Sequence, residues 1–332
     1  MTLPAHQRHA PPSSAVILAA GDGSRIRPIS ERTPKAALPV GNRPLILHHV
    51  DTAVSLGIRD IAVVVGAGGD ILRAIIDGDA AASRLNVRYI EQRERHGIAH
   101  AVACAEPLVD GSFVLLLADV FMPDHRTRYA VELFNHTRCA GVLGAKEETD
   151  PALVSRNFSI ELRGEQVARV VEKPSPALPF RGGLKGVGIY VFTPAIFDAI
   201  RKTPRSTLRN EYEITDAVQV LVDSGADVRA AIVTRNDINV NDAPSLLRAN
   251  LALLKHTDRR VLLGEHAAVD ASARLDRVVA GRNARVGAGV SLKECLLLDN
   301  ASVLEPGEYT ARIFGPGFSI AADAPAEAAP RP

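Results

Sequence analysis

Short apolar runs separated by glycine-bearing turns recur through the first 150 residues. "AVILAA" (15–20), "DIAVVVG" (60–66), "NVRYI" (86–90), "FVLLLAD" (113–119) and "AGVLGAK" (140–146) are short runs in which apolar residues prevail, which predicts strands, mostly buried on both faces. Between them, "RPLILHHVDTAVSLG" and "IAHAVACAEPLV" space their apolar residues at the helical period. Strands alternating with helices predict an α/β fold with a mixed, mostly parallel sheet joined by crossovers. Ligands bind such sheets at the carboxyl ends of the strands.

The pattern changes near residue 254. In "VDASARLDRVVAGRNARVGAGVSLKECLLLDNASVLEPG", Val or Leu returns every few residues with Gly, Ala, Ser and Asn between, and no helical stripe survives. This resembles the hexapeptide rungs of a left-handed parallel β-helix, imperfectly and for a few turns only. So small a stack is expected to lean on the first domain or on another subunit, which makes a homo-oligomer the expected state. The division read from the chain is a mobile tail at 1–13, a catalytic domain at 14–253, a short β-helix-like domain at 254–320 and a second mobile tail at 321–332.

Composition narrows the classes. The 39 basic and 38 acidic side chains leave a net charge of +1, so no overall field argues for nucleic acid or an anionic membrane as partner. Three scattered cysteines, Cys104, Cys139 and Cys295, fit neither a disulfide framework nor a zinc cluster and read as small core residues. No apolar stretch approaches a membrane span, and a cytosolic setting is expected.

Chemistry gathers where the first strand ends, in "LAAGDGSRIRPISERTPKAALPV" (18–40). Gly21 and Gly23 let the backbone approach a ligand closely, Arg25 brings a fork of donors and Lys35 a mobile charge, a set suited to a polyphosphate. The spacing is neither that of a P-loop nor that of a dinucleotide fold. Taken alone, the loop fits a turn with two solvated cations equally well.

The stretch resembles the signature of the sugar-1-phosphate nucleotidyltransferases, the pyrophosphorylase family, and further motifs follow in family order over residues 14–253. The resemblance implies a Rossmann-like nucleotide-diphospho-sugar transferase domain. It would join a nucleoside triphosphate to a sugar 1-phosphate and release pyrophosphate. Ala20, Gly21 and Gly23 would cradle the nucleotide, and Arg25 and Lys35 would hold its phosphates. "EQRERHGIAHAV" (91–102) resembles the base-reading segment. Gln92 offers an amide to a pyrimidine edge, so dTTP or UTP is favoured over GTP or ATP, and Gly97 leaves room for the base. His96 and His100 stand four apart but lack a third ligand, and read as packing or capping residues.

Asp119, at the end of "VLLLAD", and Asn239, in "DINVNDAPSLL", match the positions that bind Mg2+, an ion content with few protein oxygens. In "RVVEKPS", Lys173 would bind the phosphate of the acceptor and act in catalysis, and Glu172 would accept from its hydroxyls. "NEYEITDAV" (210–218) matches too, and reads as mainly structural, with Glu211 bordering the sugar. Departures gather in the acceptor pocket. Asn157-Phe158 stands where members have Tyr-Gly or Phe-Gly, and Gly186 stands where Asn or Val is usual. The resemblance places Phe158 and Gly186 in the sugar-phosphate site; the family's usual acceptor is glucose 1-phosphate, and these departures point away from it to an uncommon sugar or a sugar-like cyclitol phosphate. Two other readings keep the fold: a non-catalytic regulatory or assembly subunit, and a transferase with a non-sugar acceptor such as phosphocholine.

Overall fold

The computed structural model describes residues 10–21, 23–31, 33–175, 183–207 and 209–322, so most of both expected tails lies outside the described residues. The chain forms two compact units that do not follow chain order. One takes the described residues of Met1–Ala20, His49–Ala118 and Asp124–Asp237; the other takes those of Gly21–His48, Asp119–Pro123 and Ile238–Pro332.

The first unit is built on a nine-stranded sheet: β1 Ser14–Ala19, β2 Asp60–Val65, β3 Asn86–Glu91, β4 Phe113–Leu117, β5 Gly141–Glu148, β6 Phe158–Arg163, β7 Gln166–Glu172, β8 Gly183–Phe192 and β9 Val228–Ile232. Their order across the sheet is β3-β2-β1-β4-β8-β5-β9-β7-β6. The five strands read from the apolar runs are all present to within a residue or two. The sheet is α/β and mixed, but the parallel arrangement holds for only part of it. β3, β2, β1 and β4 run parallel, whereas β8 pairs antiparallel with β4, β5 and β6. Central β1 is almost wholly buried, while edge strand β3 is not, as its "NVRYIE" composition allows.

Helices Ile98–Ala105, Ala195–Lys202 and Ile214–Asp223 send apolar side chains into a core shared with Phe113, Leu115, Tyr190 and Phe192. Phe197 stacks on Phe113 with ring centroids 5.4 Å apart. The same unit buries a four-membered ion network. Asp237, with no exposed side-chain surface, lies 2.5 Å from Lys185 Nζ and 3.1 Å from Lys146 Nζ, and Lys146 reaches Glu148 at 2.9 Å. The two lysines are register partners on β5 and β8.

In the second unit the C-terminal segment forms parallel sheets. Val261 pairs with Val278, Val278 with Cys295 and Cys295 with Arg312, a constant step of 17 residues. A second ladder, Ala268 with Arg285 and Arg285 with Ser302, keeps the same step. The step is one residue short of three hexapeptides, which explains why the repeat looks imperfect in sequence. Corners are marked by left-handed residues at the same interval: His266, Asn283 and Asn300, then Arg277, Glu294 and Ala311. Cross-coil pairs such as Arg277 with Glu294 (2.5 Å) and Asn283 with Asn300 (3.1 Å) follow from it. Strand Phe318–Ala321 closes one edge antiparallel. Leu296 and Ile313 from the coils share a core with Ile26, Leu38, Phe121, Val240 and Leu246, so the glycine-cation loop and helix Ala243–His256 belong to this unit. Cys139 and Cys295 are buried and Cys104 partly so; burial pushes each thiol up.

Candidate functional site

Within the second unit, Gly23 turns the chain with φ of 64°, and a Cβ there would meet Ser30 and Lys35 at 3.2 and 3.3 Å. The left-handed φ favours glycine, and the close approach leaves little room for a side chain. Ser30 Oγ donates to the Gly23 carbonyl at 2.5 Å, and the turn Ser24–Ile26 leaves Arg25 exposed. Lys35 sits in a second short turn, Lys35–Ala37, and is only 7% exposed. A buried ammonium needs oxygen partners. Lys35 Nζ has two, Asp119 Oδ2 at 2.5 Å and Asn241 Oδ1.

Asp119 precedes strand Val120–Phe121, which pairs antiparallel with Ile238–Asn239. The Val240 amide donates to the Asp119 carbonyl at 2.8 Å, so this small ribbon brings together the two metal positions expected from sequence. Asn241 was not anticipated. It lies just before helix Ala243–His256, where Asp242 and Ser245 form a capping box and Ser245 Oγ accepts from the Asn241 amide. The capping pattern "NDAPS" was the available signal.

The first unit holds the other groups. Gln92 follows β3, and its amide nitrogen donates to the Gly97 carbonyl at 3.1 Å and to His100 Nδ1 at 3.0 Å. Gly97 has φ of 102°, and a Cβ on it would meet the Tyr212 carbonyl at 2.6 Å and Glu211 at 2.9 Å. The space that Gly97 opens is filled by the segment around Tyr212, whose amide donates to the His96 carbonyl at 2.7 Å. His96 and His100 contact edge to face, with ring centroids 5.2 Å apart.

Glu172 ends β7, and Lys173 follows with a left-handed φ of 44°, its amide held by the Asn157 carbonyl at 2.7 Å. Arg209, which sequence reasoning passed over, donates to Glu172 at 3.3 Å and to Glu213 at 2.8 and 2.6 Å; it lies 3.7 Å from Glu211. Thr215 Oγ1 donates to Glu172 at 3.2 Å. Burial and the neighbouring Glu213 charge push the Glu172 carboxyl up. Burial, together with Arg209, pulls the Lys173 ammonium down. Residues 209–213 therefore touch both the Gly97 segment and Glu172, which joins the expected base-reading and acceptor groups. A cavity of about 520 Å³ borders Glu172, Ser206, Glu213 and Asp216.

Phe158 and Gly186 meet directly, since a Cβ on Gly186 would overlap the Phe158 ring. That ring is 6% exposed and stacks on Tyr190 at 6.2 Å. The two departures read from sequence thus compensate each other, the ring taking the space of the missing side chain. The register of β8 against β5 also shifts between Gly186 and Tyr190. Ala20 ends the first unit's share of the loop, and its carbonyl would lie 2.8 Å from a Cβ on Gly66.

Such a cation-bearing glycine loop at the end of the first strand, beside a carboxylate-amide pair, defines a nucleotidyltransferase. The profile of the nucleotidyl transferase family matches residues 14–256, and the chain belongs to that family. It is similar to a glucose-1-phosphate thymidylyltransferase of Streptomyces antibioticus, 33% identical over 82% of this chain and 74% of that one. It is also similar to the UTP-glucose-1-phosphate uridylyltransferase AglF of Haloferax volcanii, 33% identical over 65% of this chain and 86% of that one. Among solved structures, a UDP-glucose pyrophosphorylase complexed with UDP-glucose shares the fold, with a TM-score of 0.67 at 24% identity over 74% of this chain and 99% of that one. The protein is therefore an enzyme of nucleotidyl transfer. No helix among the described residues is long and apolar enough to cross a membrane.

Proposed function

We propose that the enzyme transfers a nucleoside monophosphate from dTTP or UTP to a sugar 1-phosphate, giving a nucleoside-diphosphate sugar and pyrophosphate. An oxygen of the sugar phosphate attacks the α-phosphorus of the triphosphate. The bond from that phosphorus to the bridging oxygen breaks, and pyrophosphate leaves with the electron pair. Both reacting groups are already anions, so alignment and charge neutralisation are the work required.

Two charge sets, one within each unit, support this reading. Lys35, buried between Asp119 and Asn241, is fixed where the triphosphate loop begins. Lys173 and Arg209 stand with Glu172 at the end of another strand, suited to the acceptor's phosphate and hydroxyls. Arg25, exposed on the loop, supplies a second cation for the phosphates.

Asp119 and Asn239 fit Mg2+. They are hard oxygen donors on one ribbon, and the Asp119 side chain keeps 39% of its surface open although Lys35 takes one of its oxygens. Among the described residues no group of three or more acidic, His or Cys side chains is arranged to hold a metal ion, and Mg2+, with its phosphates and waters, needs none. Bound there, Mg2+ supplies positive charge to the triphosphate.

The compensated pair Phe158 and Gly186 favours an acceptor other than plain glucose 1-phosphate, because it rebuilds the strand where the sugar is expected. We read the 17-residue coils as a left-handed β-helix that serves homo-oligomer assembly in a cytoplasmic enzyme. A grid of dTTP, UTP, CTP, GTP and ATP against sugar and cyclitol 1-phosphates, with pyrophosphate release as readout, tests the proposal. Turnover with a pyrimidine triphosphate that stops in excess chelator is expected. A wild type inactive across the grid overturns the enzyme reading, and full activity in chelator overturns the metal.

A further inference from the structure

The Gln92 and His100 side chains are coupled in a way that base reading alone does not call for. The Gly97 carbonyl can only accept, so the Gln92 atom 3.1 Å from it is the amide nitrogen. That same nitrogen lies 3.0 Å from His100 Nδ1. An amide nitrogen donates and does not accept, so Nδ1 carries a lone pair and the ring is neutral, with its hydrogen on Nε2. Both N–H groups of Gln92 are thereby used. Its carbonyl Oε1 remains, an acceptor on a side chain that is 7% exposed and has little room to rotate.

We infer that His100 is a positioning residue that sets base specificity: it fixes the Gln92 amide so that the site offers an acceptor. An acceptor suits the imide N–H of uracil or thymine. It opposes the ring-nitrogen lone pair that cytosine and adenine present at the corresponding edge, and a mismatched pair leaves a buried polar group unpaired. The inference rests on Gln92 being the base reader.

Protonation of His100 turns Nδ1 into a donor facing a donor and breaks the arrangement. The titratable and charged groups bearing on the ring are His96 and Glu94 from its own loop and Arg205 from the segment after helix Ala195–Lys202. Burial first, then His96, holds the ring below its ordinary value of 6.5, with Arg205 acting the same way and Glu94 against them. Through neutral pH the ring stays neutral and the amide stays fixed.

The test is the ratio of kcat/KM for UTP or dTTP to that for CTP, measured at saturating acceptor from about pH 5 to pH 8. In the unaltered enzyme the ratio is expected to fall as pH drops below the ordinary histidine range. His100→Ala should lower the ratio about tenfold at the alkaline end, through nucleotide KM more than kcat. In His100→Gln an amide oxygen takes the same N–H without titrating, so the ratio should be kept and its pH dependence lost. An unchanged ratio in His100→Ala, or a flat profile in the unaltered enzyme, overturns the inference when Gln92→Ala abolishes discrimination. If Gln92→Ala leaves the ratio unmoved, the base reading itself fails, and the role of His100 with it.

Discussion

Two charged networks in the same unit differ in balance. The quartet of Lys146, Lys185, Glu148 and Asp237 sets two cations against two anions, and each side chain is at most 13% exposed. Around Glu172, three carboxylates share Arg209 and Lys173; Glu213 is buried at 2% exposure, while Arg209 and Glu211 are about a third exposed. Their ionisation moves in opposite directions. In the quartet, burial opposes the charged forms, but the Glu148 and Asp237 contacts hold Lys146 up and the Lys146 contact holds Glu148 down. Around Glu172, burial and like charge prevail: the carboxyl is pushed up and the Lys173 ammonium pulled down. A closed, balanced network contributes to the fold. A partly exposed, unbalanced one is where the proposed acceptor would bring further charge.

The comparison breaks most visibly at its most buried member. Asp237→Ala removes the anion beside Lys185, leaves Lys146 with Glu148 alone, and should cost about 3–5 kcal/mol in denaturant unfolding, a large share of a typical domain's stability. A loss under 1 kcal/mol would show that the quartet is not structural. Arg209→Ala leaves the buried Glu213 without its bidentate partner and should lower the melting temperature, and, on the proposed role of Arg209 at the acceptor phosphate, raise acceptor KM about a hundredfold with kcat falling less. An unchanged acceptor KM would assign Arg209 to packing alone.

Glu172→Gln sharpens the contrast further. Ionised Glu172 opposes the fold, so the variant should melt no lower than wild type at neutral pH while acceptor KM rises about tenfold. A lower melting temperature would place Glu172 with the quartet. The pH dependence of stability separates the two as well. Glu148, held below its ordinary 4.5, contributes fully above that value, and its share is lost as pH falls through its lower folded pKa. Lys146, held above 10.5, contributes below that value and loses its share as pH rises through its higher folded pKa. For Glu172 the sign reverses, with stability lost as pH rises from 4.5 through its raised pKa. Glu148→Gln should therefore flatten the acid limb of a melting-temperature profile, and Glu172→Gln should steepen it.

The smallest expected effect concerns the coupled departures. Gly186→Ala should cost about 1–3 kcal/mol by overlapping the Phe158 ring, and adding Phe158→Leu should return part of it. Additive losses would mean that the two positions are independent.

What was legible in the sequence was local. The glycines, Arg25 and Lys35 could be singled out because their types lie in one short segment that matches a family signature, and Asp119 and Glu172 stand at recognisable strand ends. Arg209, Asn241 and His100 escaped because their roles come from partners. Asn241 acquires its meaning from Lys35, 206 residues away, and the quartet joins Lys185 to Asp237 across 52. The antiparallel half of the sheet was obscured for a related reason: β8 reads as one more apolar run, and only its pairing with three neighbours gives its direction.

The 17-residue repeat carries an evolutionary consequence. The parallel ladders of this segment all advance by 17 residues, and the left-handed residues keep that interval, so a duplicated repeat of that length enters in register with its neighbours. An insertion of any other length displaces each corner and turns apolar positions outward. Growth by whole coils is thus the permitted path for this segment. Phe318–Ala321, covering the open edge, would have to travel with the last coil, since an uncovered parallel edge invites a second chain to extend it into a filament.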